Sequence, residues 1–239
     1  MFKVQAVILA GGQGSRLRPY TTILPKPLVP IGEWPIAEII IRQLKYYGLT
    51  RICMATGYLS ELIETYFGNG SRWGVEIHYV RETKPLGTAG ALKLIPSLED
   101  NCLVINGDTL TDLNFRSLLK FHRSRKASAT ITVKEQTVKS DFGEIVCSKD
   151  LKLIDYIEKP ESRSLVSMGV NVLHKSCREY LAKDRPTGIP DLMRELTQSG
   201  KNVFCYPMKG LWLDLGRLED LDRAQDVWRK HKRKFLKTT

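Results

Sequence analysis

A doubly wound α/β fold built on a mixed, mainly parallel sheet is predicted by three observations on this 239-residue chain. Short β-branched apolar runs alternate with helix-length amphipathic stretches through the first half, the pattern of successive βαβ crossovers. The first run empties into a glycine cluster and a later one ends in an acid, as strands do when their carboxyl ends hold a ligand. From about residue 128 the runs become short, alternating and closely spaced, which predicts a small antiparallel extension.

Taken in order, "KVQAVILA" (residues 3–10) is nearly continuous in apolar character, as a strand covered on both faces should be. "WPIAEIIIRQLKYYG" reads as a helix with Pro35 in its first turn and Gly48 just past its end. "RICMAT" is the second strand, "SELIETYFG" a helix capped by Ser60, and "VEIHYV" the third strand. The loop "RETKPLGTAG" leads to a short helix and then to "NCLVINGD", an apolar strand ending at Asp108. "ATITVK", "GEIVC", "LKLIDYIEK" and "MGVNVLH" are the strands of the extension. "IPDLMRELTQSG" and "LEDLDRAQDVWRK" return to helix, with the strands "VFCYP" and "LWLDLG" between them. No repeat or low-complexity linker divides the chain, so residues 1–228 are expected to form a single domain, followed by a basic tail at 229–239.

With 42% apolar and 26% charged residues the composition is that of an ordinary globular chain, which argues against disorder. The net charge of +11 calls for anionic partners such as nucleotides or phosphosugars. Arg229, Lys230, Lys232, Arg233, Lys234 and Lys237 supply six of those charges from the tail, leaving +5 for the body. No aromatic platform accompanies them, so a solvated helix end is the favoured reading and a nucleic-acid contact is not expected. The odd set of five cysteines, without CxxC spacing and often in apolar strands, reads as buried free thiols in a reducing compartment. No stretch has the length and hydropathy of a membrane span or of a secretion signal, and the cytoplasm is the expected location.

The glycine cluster "GGQGSR" follows its strand directly, so backbone N–H groups can form a concavity for an anion, most naturally a phosphate. It matches neither the P-loop, which ends in Gly-Lys-Ser/Thr, nor the dinucleotide fingerprint, whose third glycine is replaced by Leu17. Its continuation, "RLRPYTTILPKPL", holds Pro19, Pro25 and Pro27 and is expected to be an extended strap laying Arg16, Arg18 and Lys26 along a polyphosphate.

The run "LAGGQGSRLRPYTTILPKPLVPIGEWPI" resembles the signature of the sugar-1-phosphate nucleotidyltransferases. The resemblance recurs in "PLGTAGAL", "NGD", "FGEI", "EKP", "GVNVL" and "WLDLG", in the family's order, between residue 4 and about residue 228. It implies a Rossmann-like fold of the nucleotide-diphospho-sugar transferase type. The implied reaction joins a nucleoside triphosphate to a sugar 1-phosphate, releases pyrophosphate and requires Mg²⁺. A sugar phosphate is already largely anionic near neutral pH, so such a reaction needs positioning and charge neutralisation more than a side-chain nucleophile.

Residue by residue, the resemblance implies that Leu9, Gly11, Gly12, Gly14 and Ser15 wrap the triphosphate and that Arg16 stabilises the departing pyrophosphate. Lys26 would reach the α-phosphate or sugar phosphate, and Asp108 with Asp214 would hold Mg²⁺, whose hard octahedral preference suits two carboxylates plus phosphate oxygens. Glu158 and Lys159 would bind the sugar hydroxyls and sugar phosphate, with Gly143 and Asn171 lining the same pocket. Pro85 and Gly87 would admit a flat base, Thr88 would cap a helix beginning at Ala89, and Glu82 could accept hydrogen bonds from a guanine edge. "PLGTAGAL" looks most like the mannose- and D-glycero-D-manno-heptose-1-phosphate guanylyltransferase branch, which favours GTP. The "GRLED" that begins at Gly216 departs from the family's usual Thr-Pro, which puts local substrate contacts and the role of Arg217 in question.

Two other readings stand beside this one: the same reaction with UTP or another nucleotide and a different sugar, and a catalytically silent, nucleotide-sugar-binding regulatory relative. Retention of Arg16, Lys26, Asp108 and Asp214 together favours catalysis, and a homo-oligomer is compatible with the sequence.

Overall fold

A computed structural model describes residues 4–182 and 185–236. In chain order it contains β1 (Gln5–Ala10), β2 (Pro30–Ile31), β3 (Trp34–Pro35), α1 (Ile36–Tyr46), β4 (Arg51–Thr56), α2 (Ser60–Phe67), β5 (Glu76–Arg81) and α3 (Gly87–Gly90). There follow β6 (Asn101–Asn106), β7 (Thr109–Thr111), α4 (Phe115–Ser124), β8 (Ala129–Lys139), β9 (Glu144–Cys147), β10 (Leu153–Ile157) and β11 (Glu161–His174). The chain closes with α5 (Ile189–Gln198), β12 (Val203–Pro207), β13 (Trp212–Asp214) and α6 (Leu218–Phe235).

Seven strands form the central sheet in the order β12-β8-β11-β6-β1-β4-β5. Every neighbouring pair is parallel except the two that β11 makes, so the sheet is mixed and mainly parallel, as the alternating pattern predicts. The chain winds outward from β1 to β4 and β5, then returns to place β6 on the other flank of β1. That reversal opens a crevice at the carboxyl ends of β1 and β6, where open α/β sheets bind ligands. Layers cover both sheet faces, and β1 feeds both: Ala6 and Ile8 pack with Ile39, Ile40 and Phe115, whereas Val7 packs with Val104 and Leu192.

Helix signals are only partly obeyed. Pro35 sits one residue before α1 instead of in its first turn, and Gly48 (φ 82°) ends the helix by donating its N–H to the Lys45 carbonyl at 2.8 Å. Ser60 is the first residue of α2 and makes no side-chain cap; the left-handed Leu59 (φ 51°) turns the chain into the helix. The α4 helix has no counterpart among the elements expected from the sequence. It is an amphipathic helix burying Phe115, Leu118, Leu119 and His122, with the Asn114 side chain accepting the Ser117 N–H at 3.0 Å.

The strap after the glycine loop is not extended. Residues 15–17, 20–22 and 26–28 form three tight 3₁₀ turns, and the Thr21 hydroxyl donates to the Gly14 carbonyl at 2.8 Å, folding the segment back on the loop. At the other end of the chain, the expected solvated tail enters the fold: α6 carries a break at His231, Phe235 is fully buried, and its carbonyl accepts from Gln43 Nε2 at 2.9 Å. Residues 237–239 lie outside the described residues.

Cys53, Cys102 and Cys177 are buried free thiols, and burial pushes them up to about 11, 12 and 11 respectively. Cys147 and Cys205 are exposed, contrary to the expectation for "NVFCYP", because they lie on strands with an open face. No helix among the described residues is long and apolar enough to cross a membrane.

Candidate active site

The three strand ends that meet at the switch point are held together by glycines. A Cβ on Gly57, after β4, would fall 2.8 Å from the Gly11 carbonyl, and one on Gly107, after β6, would fall 2.9 Å from the Leu9 carbonyl. Gly11 has its own constraint, because a Cβ there would lie 2.5 Å from Glu82 Oε1. Gly14 adopts φ 61° to start the turn at Ser15, whereas the Cα of Gly12 faces open space. Gly57 and Gly107 therefore belong to the same construction as the glycine loop. Their signal in the sequence is a glycine placed directly after an apolar strand.

The result is a cleft of about 660 Å³ lined by Leu9, Gly11, Gly12, Gly14, Ser15 and Arg16 from the loop after β1, and by Lys26 from the strap. Glu82, Pro85, Gly87 and Thr88 form a second wall, and Asn106, Gly107, Asp108 and Gly216 a third. Every nucleotide-binding residue expected from the sequence thus borders one cavity.

Asp108 lies between β6 and β7. The antiparallel pairing of β7 with β13 sets Asp214 opposite Thr109, and the Leu215 N–H donates to the Asp108 carbonyl at 3.3 Å. Two acids distant in sequence are thereby neighbours, and partial burial, reinforced by the charge of Asp108, raises the Asp214 carboxyl above its usual range against the opposing pull of Lys26 and Arg16. The Lys26 ammonium forms an ion pair with Asp108 Oδ2. The other oxygen, Asp108 Oδ1, is buried without a hydrogen-bond partner among the described residues. Such an atom carries a desolvation cost unless a cation or donor meets it. Arg16 arches over Gly216, where an ideal Cβ would sit 3.4 Å from both its terminal nitrogens, and it makes no ion pair among the described residues.

Glu82 continues from β5 at the base of the second wall. One oxygen accepts the Leu86 N–H at 3.0 Å while the other lies against Gly11, and partial burial raises the carboxyl above its usual range. Thr88 does not cap its own helix. Its hydroxyl accepts the Ile189 N–H at 2.9 Å, at the start of α5, while the Thr187 carbonyl receives the N–H groups of Ala89 and Gly90. Gly87 (φ 76°) is required by this brace, since a Cβ would fall 2.6 Å from the Thr187 carbonyl. The wall that faces the cleft is thus buttressed by the segment before α5, a contact with no local signal in "PLGTAGAL".

The expected sugar-phosphate residues are not brought into this cleft. Gly143 packs against Tyr156 in the β9–β10 hairpin, where a Cβ would lie 2.6 Å from its ring. Glu158 and Lys159, the latter at φ 45°, stand exposed between β10 and β11. Asn171 is 2% exposed in β11 and its Oδ1 has no partner among the described residues.

A glycine loop, two cations and two acids gather around the carboxyl ends of β1 and β6, the place at which open α/β sheets hold their ligands. The nucleotidyl transferase family model matches residues 5–230, and the chain belongs to that family. It is 33% identical to a UTP–glucose-1-phosphate uridylyltransferase of Synechocystis sp. over 92% of this chain and 62% of the relative, so it spans about three fifths of that protein. It is 32% identical to a D-glycero-α-D-manno-heptose 1-phosphate guanylyltransferase of Aneurinibacillus thermoaerophilus over 93% of this chain and 97% of the relative. Among solved structures, a putative glucose-1-phosphate thymidylyltransferase from Bacillus anthracis, in complex with a sucrose, superposes with a TM-score of 0.77 at 26% identity, covering 95% of each chain.

Proposed function

We propose that this protein transfers a nucleotidyl group, GMP from GTP, to mannose or D-glycero-D-manno-heptose 1-phosphate, giving an NDP-sugar for polysaccharide synthesis and pyrophosphate. The observation that carries this reading is the juxtaposition of Lys26, Asp108 and Asp214 beside the glycine loop at the switch point. Magnesium fits the residues present: the buried Oδ1 of Asp108, without a hydrogen-bond partner among the described residues, and the neighbouring carboxylate of Asp214 form a hard oxygen set that leaves positions for phosphate oxygens. When bound, the ion neutralises phosphate charge as a Lewis acid.

The chain's own groups do the rest. N–H groups of residues 11–15 cradle the triphosphate, and Arg16, beside Gly216 and without an ion pair among the described residues, stabilises charge on the departing pyrophosphate. Lys26 screens the incoming sugar phosphate from the polyphosphate, so two anions can approach in line. No nucleophilic serine or cysteine is needed, consistent with Cys53, Cys102 and Cys177 lying in the core. Glu82, held by the Leu86 N–H against Gly11, is the carboxylate of the second wall and can accept from a guanine edge.

The heptose guanylyltransferase relative supports guanine, and the uridylyltransferase relative favours a second reading in which UTP and another hexose phosphate are used. Pyrophosphate release measured with Mg²⁺ across GTP, UTP, dTTP, CTP and ATP, each paired with mannose, heptose, glucose and amino-sugar 1-phosphates, separates them. Turnover is expected with GTP and a manno-configured phosphate. Turnover with UTP instead would transfer the assignment to the second reading, and tight nucleotide-sugar binding without turnover would leave a regulatory relative.

A further inference from the structure

The order of the strands decides what lies between the glycine loop and the second wall of the cleft. Because the sheet runs β6-β1-β4-β5, the carboxyl end of β4 stands between the loop after β1 and the segment after β5 that holds Glu82, Pro85, Gly87 and Thr88. Gly57 and Tyr58 occupy that end, and both line the cleft. A nucleoside triphosphate with its phosphates on the loop and its base at the second wall therefore passes Tyr58, a residue to which the sequence assigns no part.

Three hydrogen bonds form a clasp around the glycine loop, and two of them come from Tyr58. Its backbone N–H donates to the Gly11 carbonyl at 3.3 Å, and its hydroxyl donates to the Thr22 carbonyl at 3.0 Å, in the strap between Arg16 and Lys26. The adjacent Thr21 hydroxyl completes the clasp by donating to the Gly14 carbonyl at 2.8 Å. With the carbonyls at both ends of the loop engaged, and the N–H groups of Gly12, Gln13 and Gly14 donating to no other group among the described residues, the loop keeps its donors for an anion.

The strap needs such a tie. Leu17 and Thr21 are buried, but Tyr20 is 60% and Ile23 78% exposed. The Thr22 and Leu24 N–H groups donate to the Pro19 and Tyr20 carbonyls, within the strap itself. Among the described residues, the Tyr58 hydroxyl is the group that reaches residues 18–25 by a hydrogen bond from another strand end. A segment with open side chains and self-contained bonds belongs to the low end of local stability, so an outside bond narrows what it samples. A strap held before binding spares the nucleotide the cost of ordering it.

We propose that Tyr58 is a nucleotide-positioning residue, whose hydroxyl presets the strap and, through Thr21, the glycine loop in the conformation that receives the triphosphate. The proposal rests on the nucleotide reading of the cleft and adds the group that prepares it. Lys26 has its own tie to Asp108, so loss of the hydroxyl should act on nucleotide binding and not on the sugar phosphate.

Calorimetric titration of GTP and, separately, UTP into the natural chain and into Tyr58→Phe, with Mg²⁺ and without sugar 1-phosphate, tests it. The nucleotide that binds the natural chain should bind the variant about fivefold more weakly, the loss of one neutral hydrogen bond. Its KM should rise alike, while kcat, the sugar 1-phosphate KM and the melting temperature stay within error of the natural values. Thr21→Val cuts the same clasp at Gly14, so it should weaken binding by a like factor and add little to Tyr58→Phe in the double variant. Hydrogen exchange gives a readout apart from turnover: the Thr22 and Leu24 amides should exchange faster in Tyr58→Phe and regain protection at saturating nucleotide. Equal affinities, weaker binding with unchanged strap exchange, or fully additive effects of the two substitutions would overturn the proposal and leave the nucleotide reading standing. A joint fall in kcat and melting temperature would overturn it too, by assigning Tyr58 to the framework. Failure of the natural chain to bind either nucleotide would overturn both.

Discussion

Gly87 shows how one missing side chain supports the cleft wall. Its φ of 76° and the 2.6 Å approach of the Thr187 carbonyl to the Cβ position both exclude alanine. Gly87→Ala is expected to cost about 2 kcal/mol, lowering the melting temperature by about 4–8 °C. Because the brace also positions Thr88 and Glu82, the same variant should raise the nucleotide KM, by roughly tenfold, more than it lowers kcat. Calorimetry and initial rates read the two effects. A variant with the parental melting temperature and KM would show that the Thr187 contact does not shape this wall. Sequence reasoning finds the glycine and misreads the threonine, because the Ile189 N–H that Thr88 receives lies 101 residues away.

The α4 helix illustrates what an element conceals when read locally. Its apolar positions Phe115, Leu118 and Leu119 have helical spacing, but Arg116, Lys120 and Arg123 among the ten residues dilute the pattern, and the one polar residue on the buried face is His122. That imidazole is 2% exposed; Nδ1 is 2.8 Å from the Thr130 hydroxyl on β8 and Nε2 is 2.9 Å from Asn101 Oδ1 on β6. Burial, aided by His174 and Arg123, pulls its pKa from 6.5 down to about 4. The unfolded chain therefore takes up a proton that the folded chain refuses. This contribution to stability is present above pH 6.5 and is lost as pH falls toward 4, by about 3 kcal/mol in total from this group. Urea unfolding at stepwise pH should show that decline, and His122→Asn should flatten it. An equal slope in the variant would assign the acid sensitivity elsewhere.

On the scale of the whole molecule, the sheet and its switch point are legible in the alternation of runs, since a strand covered on both faces must be apolar throughout and "KVQAVILA" and "NCLVIN" are. The glycine loop, Lys26 and Asp108 are legible for a related reason: each directly follows, or returns to, the carboxyl end of such a strand. Less legible is anything created by distant pairing. The short β7–β13 ladder that puts Asp214 beside Asp108 joins residues more than a hundred apart. The coiling of the strap depends on Thr21 reaching Gly14 and on Tyr58 reaching Thr22. The C-terminal segment likewise reads as a basic tail, yet Phe235 is anchored in the core by packing that no local pattern announces.

All three scales converge on Asp108, which is paired with Lys26, has one buried oxygen without a partner among the described residues, and is set beside Asp214 by the fold. The most direct test is the initial rate of pyrophosphate release by Asp108→Asn, at saturating nucleotide, Mg²⁺ and sugar 1-phosphate, against the natural sequence. A fall of about 100- to 1000-fold, with nucleotide still bound and the melting temperature held, is the predicted result. A variant that keeps its rate within a factor of a few would contradict the account, because the carboxylate at its centre would then play no part in the reaction.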